Sequence, residues 1–73
     1  MADQRRFPPP WRAEPIPGGY VVRDANGQAL AYLYSRDNED EARQAKVLTK
    51  DEARRIAVNI ARLPELLGMG ERD

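Results

Sequence analysis

Cysteine and histidine are both absent from this 73-residue chain, and each absence removes a block of chemistry. Without cysteine there is no disulfide, no thiolate metal ligand and no thiol nucleophile. Without histidine, the commonest general base and the commonest metal ligand are missing. Carboxylates alone can hold a hard cation only when clustered at defined spacing, and no such cluster is written here. Charge of one sign is also lacking: 12 lysines and arginines face 12 aspartates and glutamates. A formal net charge of zero argues against broad attraction to nucleic acid or to an anionic membrane. No apolar run is long enough to span a bilayer. Arg5-Arg6 looks like the start of a secretory signal, but Phe7-Pro8-Pro9-Pro10 stands where its apolar stretch should be. The expectation is a cytoplasmic protein with no membrane association, no metal and no cofactor.

A chain this short holds one domain. A domain of this size buries only about 60% of the surface its unfolded chain exposes. Its core rarely supplies more than roughly 3–5 kcal/mol without disulfides, metal or a partner. What is present must therefore be economical. The central stretch, residues 18–34, reads as a β-hairpin with its turn written in. Tyr20 to Asp24 and Gln28 to Tyr34 are rich in aromatic and β-branched residues. Asp24-Ala25-Asn26-Gly27 between them allows two registers. A two-residue Asn26-Gly27 turn pairs Val22 with Ala31 and Tyr20 with Leu33. A three-residue turn, with Gly27 at the left-handed site of a bulge, pairs Val22 with Leu30 and Tyr20 with Tyr32. A shift of one residue decides which side chains share a face. The three-residue turn gathers Tyr20, Val22, Leu30 and Tyr32 on one large apolar face, so that register is preferred. It leaves Val21, Arg23, Ala29, Ala31 and Leu33 on the other.

Upstream, Trp11 to Ile16 is a candidate first strand. Pro15 and Pro17 remove backbone donors, which restricts it to an edge or an extended arm. Pro17-Gly18-Gly19 signals a sharp turn into the hairpin. The prolines before Trp11 favour an extended polyproline segment. Either they serve a proline-binding groove, or they lead the terminus over the surface while Phe7 and Trp11 dock on the core; the second reading is preferred, because a small core needs large anchors.

Downstream, the acids Asp37, Glu39, Asp40 and Glu41 precede Arg43 and Lys46, an order that complements a helix dipole. Almost nothing apolar would pin this segment, so it reads as a mobile connection with a helical turn around residues 39–45. Thr49-Lys50-Asp51-Glu52 fits a capping box. The helix it opens runs to about residue 63 and stops before Pro64. Ala53, Ile56, Ala57, Ile60 and Ala61 form one apolar stripe along it. After Pro64 one further turn ends at Gly68, with Leu63, Leu66 and Leu67 closing the core.

The expected fold is α+β: a three-stranded antiparallel sheet (about 11–16, 20–24 and 28–34) packed by one C-terminal helix (about 50–63). Residues 1–10 form a flexible arm, 11–67 the domain and 68–73 a tail.

No catalytic arrangement emerges. Asp24 and Asn26 are explained by the turn, Ser35 has no base near it in sequence, and Gly18-Gly19 lacks the helix and lysine of a phosphate loop. Lys50, Arg54, Arg55 and Arg62 line the polar side of the helix, a stripe that could meet phosphates; Asp51 and Glu52 stand at pairing distance from Arg55, which favours a solvated face. Val21, Arg23, Ala29, Ala31 and Leu33 have no second helix to cover them except the 37–48 connection. An uncovered apolar face marks an interface. The leading expectation is a non-catalytic interaction module that meets an unidentified protein partner or a second copy of itself through that face or the edge strand beside it. The alternative is a weak nucleic-acid-binding domain using Arg5, Arg6, Arg12 and Arg23.

Phe7-Pro8-Pro9-Pro10-Trp11, the run from Pro17 to Tyr32, Leu48 to Ala57 and Leu63-Pro64-Glu65-Leu66-Leu67 together resemble a family of short uncharacterised bacterial proteins. The resemblance covers nearly the whole chain. It implies a small, stand-alone soluble protein and brings no activity, cofactor or binding residue.

Overall fold

Two turns define the sheet. The structure, a computed structural model, describes residues 7–68. β1 (Arg12–Ile16) and β2 (Gly19–Arg23) are joined by Pro17-Gly18. Proline at the first central position and glycine at φ 82° in the second meet the demands of a type II turn. Gly19 follows as the first residue of β2 and packs so closely that a Cβ there would lie 1.9 Å from the Leu33 carbonyl oxygen. β3 (Ala29–Arg36) returns antiparallel to β2.

The β2–β3 turn combines both registers considered from sequence. Locally it is the three-residue turn. The Gly27 N–H donates to the Asp24 carbonyl at 3.0 Å, the Asp24 N–H donates to the Gln28 carbonyl at 3.0 Å, and Gly27 has φ 90°. Arg23 then pairs with Ala29. One step later the register shifts: Val22 pairs with Ala31, Val21 with Tyr32 and Tyr20 with Leu33. Leu30 is the extra residue of a β-bulge. The turn is the three-residue form that its residues favour, but its register ends at Arg23 instead of running on through Val22 and Tyr20. The bulge moves Tyr32 off the helix face and moves Ala31 and Leu33 onto it.

The expected three-stranded antiparallel sheet is four-stranded and mixed, in the order β1-β2-β3-β4. β4 (Leu48–Thr49) runs parallel to the end of β3, pairing with Ser35 and Arg36. Parallel neighbours need a crossover, and α1 (Glu39–Ala45) supplies it. This helix occupies what was read as a mobile connection. The Asn38 side chain caps it by accepting the Glu41 N–H at 3.0 Å, and Lys46 closes it at φ 59°. Ala42 is fully buried and is the apolar anchor that so polar a segment seemed to lack.

α2 (Lys50–Ala61) springs directly from β4. Its capping box is complete: Thr49 Oγ1 accepts the Glu52 N–H at 3.2 Å, and Glu52 Oε1 accepts the Thr49 N–H at 2.9 Å. α2 lies across β1, β2 and β3. Ala53 and Ala57 are fully buried beneath it, and their small side chains let the helix axis come close to the sheet. Ile56, expected in the same stripe, sits at its rim and is 40% exposed. The single helix expected over 50–63 is broken at Arg62, after which α3 (Leu63–Leu66) begins with Pro64 in its first turn. Pro64 is buried, whereas Leu66 and Leu67, expected to close the core, face solvent. The break at Arg62 reorients the last turn, so helical spacing no longer carries the stripe past it.

Gly19→Ala is expected to lower unfolding free energy by about 1–3 kcal/mol or more, because the added methyl meets strand backbone that can yield only by moving β3. Gly18→Ala meets no atom within 4 Å and bears only the left-handed φ, about 1 kcal/mol. Chemical denaturation of the two variants checks the order; equal losses would refute the close approach.

Candidate functional site

Directly opposed residues of an antiparallel pair share a face. The pairings therefore sort the sheet. Ala13, Tyr20, Val22, Ala31 and Leu33 point one way, toward α2. Consistent with this, Tyr20 lines a recess together with Thr49, Lys50, Asp51 and Arg54 of the α2 start. Arg12, Glu14, Val21, Arg23, Tyr32 and Tyr34 point the other way. Neither α1 nor α3 approaches β1 or β2, so among the described residues no helix packs over the β1–β2 part of this second face; α1 meets β3 alone.

Its centre is apolar and closed. Val21 is fully buried between its cross-strand neighbours Glu14 and Tyr32. Beside it the Tyr32 and Tyr34 rings run parallel, with centroids 6.2 Å apart and planes 6° from one another. The two rings are 51% and 65% exposed, a large apolar surface to leave in water. They reach this face because they alternate along β3 after the bulge.

The charged part of the face is organised by Glu14. Its carboxylate accepts from Arg12 Nε at 2.5 Å and from Arg23 Nε at 3.1 Å. The same two guanidinium groups reach the turn: Arg12 donates to the Asp24 carbonyl at 3.3 Å and Arg23 to the Gly27 carbonyl at 3.1 Å. The hydrogen bond from Arg12 holds the Glu14 carboxyl below its ordinary range; partial desolvation opposes this, and the bond from Arg23 adds to it. Both arginines are thus already engaged, which reduces what they can offer to a phosphate. The arginines of α2 are likewise paired, Arg54 with Asp51 at 3.2 Å and Arg55 with Asp51 at 2.8 Å.

Of the residues expected on the uncovered face, Arg23 and Ala29 lie on it, though Arg23 is engaged as above. Val21 lies on it but is buried, and Ala31 and Leu33 face α2 instead. Of the two tyrosines that do expose surface, Tyr32 is the one expected on the helix face, and the bulge reverses it. Their i,i+2 spacing at the end of β3 put them on one face, but nothing local indicated which. Among the residues proposed for nucleic-acid contact, Arg12 and Arg23 are cross-strand neighbours, while Arg5 and Arg6 lie outside the described residues. Of the tail expected over 68–73, only Gly68 is described. The described part of the N-terminal arm runs beside the turn: the Ala25 N–H donates to the Pro8 carbonyl at 2.9 Å, and the Trp11 indole N–H to the Phe7 carbonyl at 3.0 Å.

Among the described residues no group of three or more acidic side chains is placed to hold a metal ion. No helix of these residues is long and apolar enough to cross a membrane. The chain matches no family model, no curated protein and no solved structure.

Because the folded-state pKa of Glu14 is lowered, its contribution to stability is present above the ordinary carboxylate range and is lost as pH falls through the folded value. An NMR titration of the Glu14 carboxyl is expected to give a midpoint below the ordinary glutamate range. Arg12→Gln should raise that midpoint more than Arg23→Gln. A midpoint at the ordinary value in the native protein would contradict the paired geometry.

Proposed function

We propose that this chain is a non-catalytic protein-interaction module, a member of the bacterial family it resembles, and that it binds through the open face of its sheet. The observation that carries this reading is the parallel pair Tyr32 and Tyr34, both more than half exposed on the sheet face turned away from α2. Tyrosine suits such a role because it combines a large apolar body with a polar tip and little conformational entropy to lose. The Arg12–Glu14–Arg23 cluster beside the rings supplies a polar rim of both signs.

The nucleic-acid reading has one observation in its favour. Arg36 follows Tyr32 and Tyr34 on the same strand face, and its side chain makes no ion pair or hydrogen bond among the described residues. Aromatic rings followed by a free cation can take stacked bases and a phosphate. Against it stand the zero net charge and the engagement of Arg12 and Arg23 by Glu14.

Capture from the native cell on immobilised protein separates the two. A specific protein is expected to be retained by the wild type, to survive nuclease treatment and to be lost with Tyr32→Ser/Tyr34→Ser. Recovery of nucleic acid alone, abolished between low and moderate salt, would transfer the function to the alternative.

A further inference from the structure

The two edges of the sheet are protected unequally. In β1 the residues that address β2 alternate with those whose main-chain groups point outward. The Pro17-Gly18 turn joins Ile16 to Gly19 as a directly opposed pair, so Glu14 and Arg12 address β2 and Pro15 points outward. Pro15 has no N–H to offer, and the strand itself carries the charged Arg12 and Glu14, so this edge is blunted.

The β3 edge is protected at its two ends only, by the bulge at Leu30 and by β4, which leaves the stretch around Tyr32 without charge or proline. β4 covers only Ser35 and Arg36. The Ser35 N–H donates to the Gly18 carbonyl at 2.9 Å, which fixes the alternation: Leu33 and Ala31 address β2, and the N–H and C=O of Tyr32 point outward. Among the described residues no strand lies beside β3 from Ala29 to Leu33. Residues 29–34 read Ala-Leu-Ala-Tyr-Leu-Tyr, with no charge, no proline and no glycine. An uncharged strand of this composition, left open, templates pairing with another chain.

We infer that the open edge of β3 pairs antiparallel with the β3 edge of a second copy of this chain, forming a two-fold symmetric dimer whose sheet runs continuously through both subunits. The segment suits itself as a partner. It has no charge, so laying it beside its own copy opposes no like charges. Antiparallel pairing about a two-fold axis is self-complementary and closed, so it ends at two copies rather than propagating. The blunted β1 edge then terminates the joined sheet at both ends. The pairing also sets the Tyr32 and Tyr34 rings of the two subunits on one continuous open face. The inference deepens the interaction-module reading by naming an occupant for the edge. It concerns purified protein alone, so failure to capture a cellular partner leaves it standing, and a monomeric chain leaves the tyrosine face standing.

Sedimentation equilibrium and amide hydrogen exchange on the wild-type protein provide the test. The expected result is an apparent mass twice 8.3 kDa, falling to the monomer on dilution. The Tyr32 amide exchanges slowly in the dimer and loses that protection on dilution, while the Leu33 amide, bonded within the monomer, stays protected throughout. Tyr32→Pro removes the outward donor without touching a β2 bond and is expected to abolish the dimer while retaining the circular dichroism of the fold. A monomer at all concentrations up to millimolar overturns the inference and leaves the edge to a foreign strand. So does a dimer in which the Tyr32 amide exchanges freely, or a folded Tyr32→Pro variant that remains dimeric. If that variant does not fold, the wild-type exchange pattern decides alone.

Discussion

The carboxylate of Asp24 is the constraint on which the sheet depends. The residue is 2% exposed, and its Oδ1 accepts the N–H groups of Asn26 and Gln28, each at 2.9 Å. Its main chain closes the turn on both sides, and its carbonyl takes a further bond from Arg12. Burying an acid costs less when its side chain is hydrogen-bonded, as it is here through Oδ1. The Asp24 turn launches β3 in one register, and the bulge at Leu30 then moves it to another. Every residue from Ala31 to Arg36 takes its face from that pair of events. The placement of Leu33 under α2 and of Tyr32 and Tyr34 in the open follows from them.

The consequence is a sheet with unlike faces and unlike edges. One face is matched to a helix whose contact residues are alanines, so the sheet side must supply the bulk, and Tyr20, Val22 and Leu33 do so. The other face is held together by its own side chains. Glu14 draws Arg12 and Arg23 over the β1–β2 half, and the parallel tyrosines stand over the β3 half, with Val21 sealed between them. The arginine pair that an unpaired reading would assign to phosphates is thereby tied to the protein itself. What the described residues leave uncovered is aromatic surface and part of the β3 edge.

Local signals explain which parts of this were legible in advance. The capping box at Thr49 and the alanine stripe of α2 work within four residues, and both appear where the spacing placed them. The Pro17-Gly18 turn and the Asp24–Gly27 turn are likewise local, and both have the geometry their residues demand. α1 was half legible. Its dipole-matched charges pointed to a helical turn, and the single buried Ala42 that fixes it gave no pattern to detect. β4 was not legible at all, because two residues pairing in parallel with a distant strand have no periodicity of their own.

The sequence by itself determined the turns, the helix caps, the absence of thiol and imidazole chemistry, and the α+β character. These rest on interactions between residues near each other in the chain, where residue type and spacing are sufficient. The tertiary structure alone decided the bulge at Leu30, the fourth strand and the faces of Ala31, Tyr32 and Leu33. A bulge is chosen by how the whole strand must lie against α2 and β2, and a period-two pattern reverses every face at a single inserted residue. The candidate surface therefore moved by one position, from Ala31 and Leu33 to Tyr32 and Tyr34, although the hairpin that carries it was read correctly.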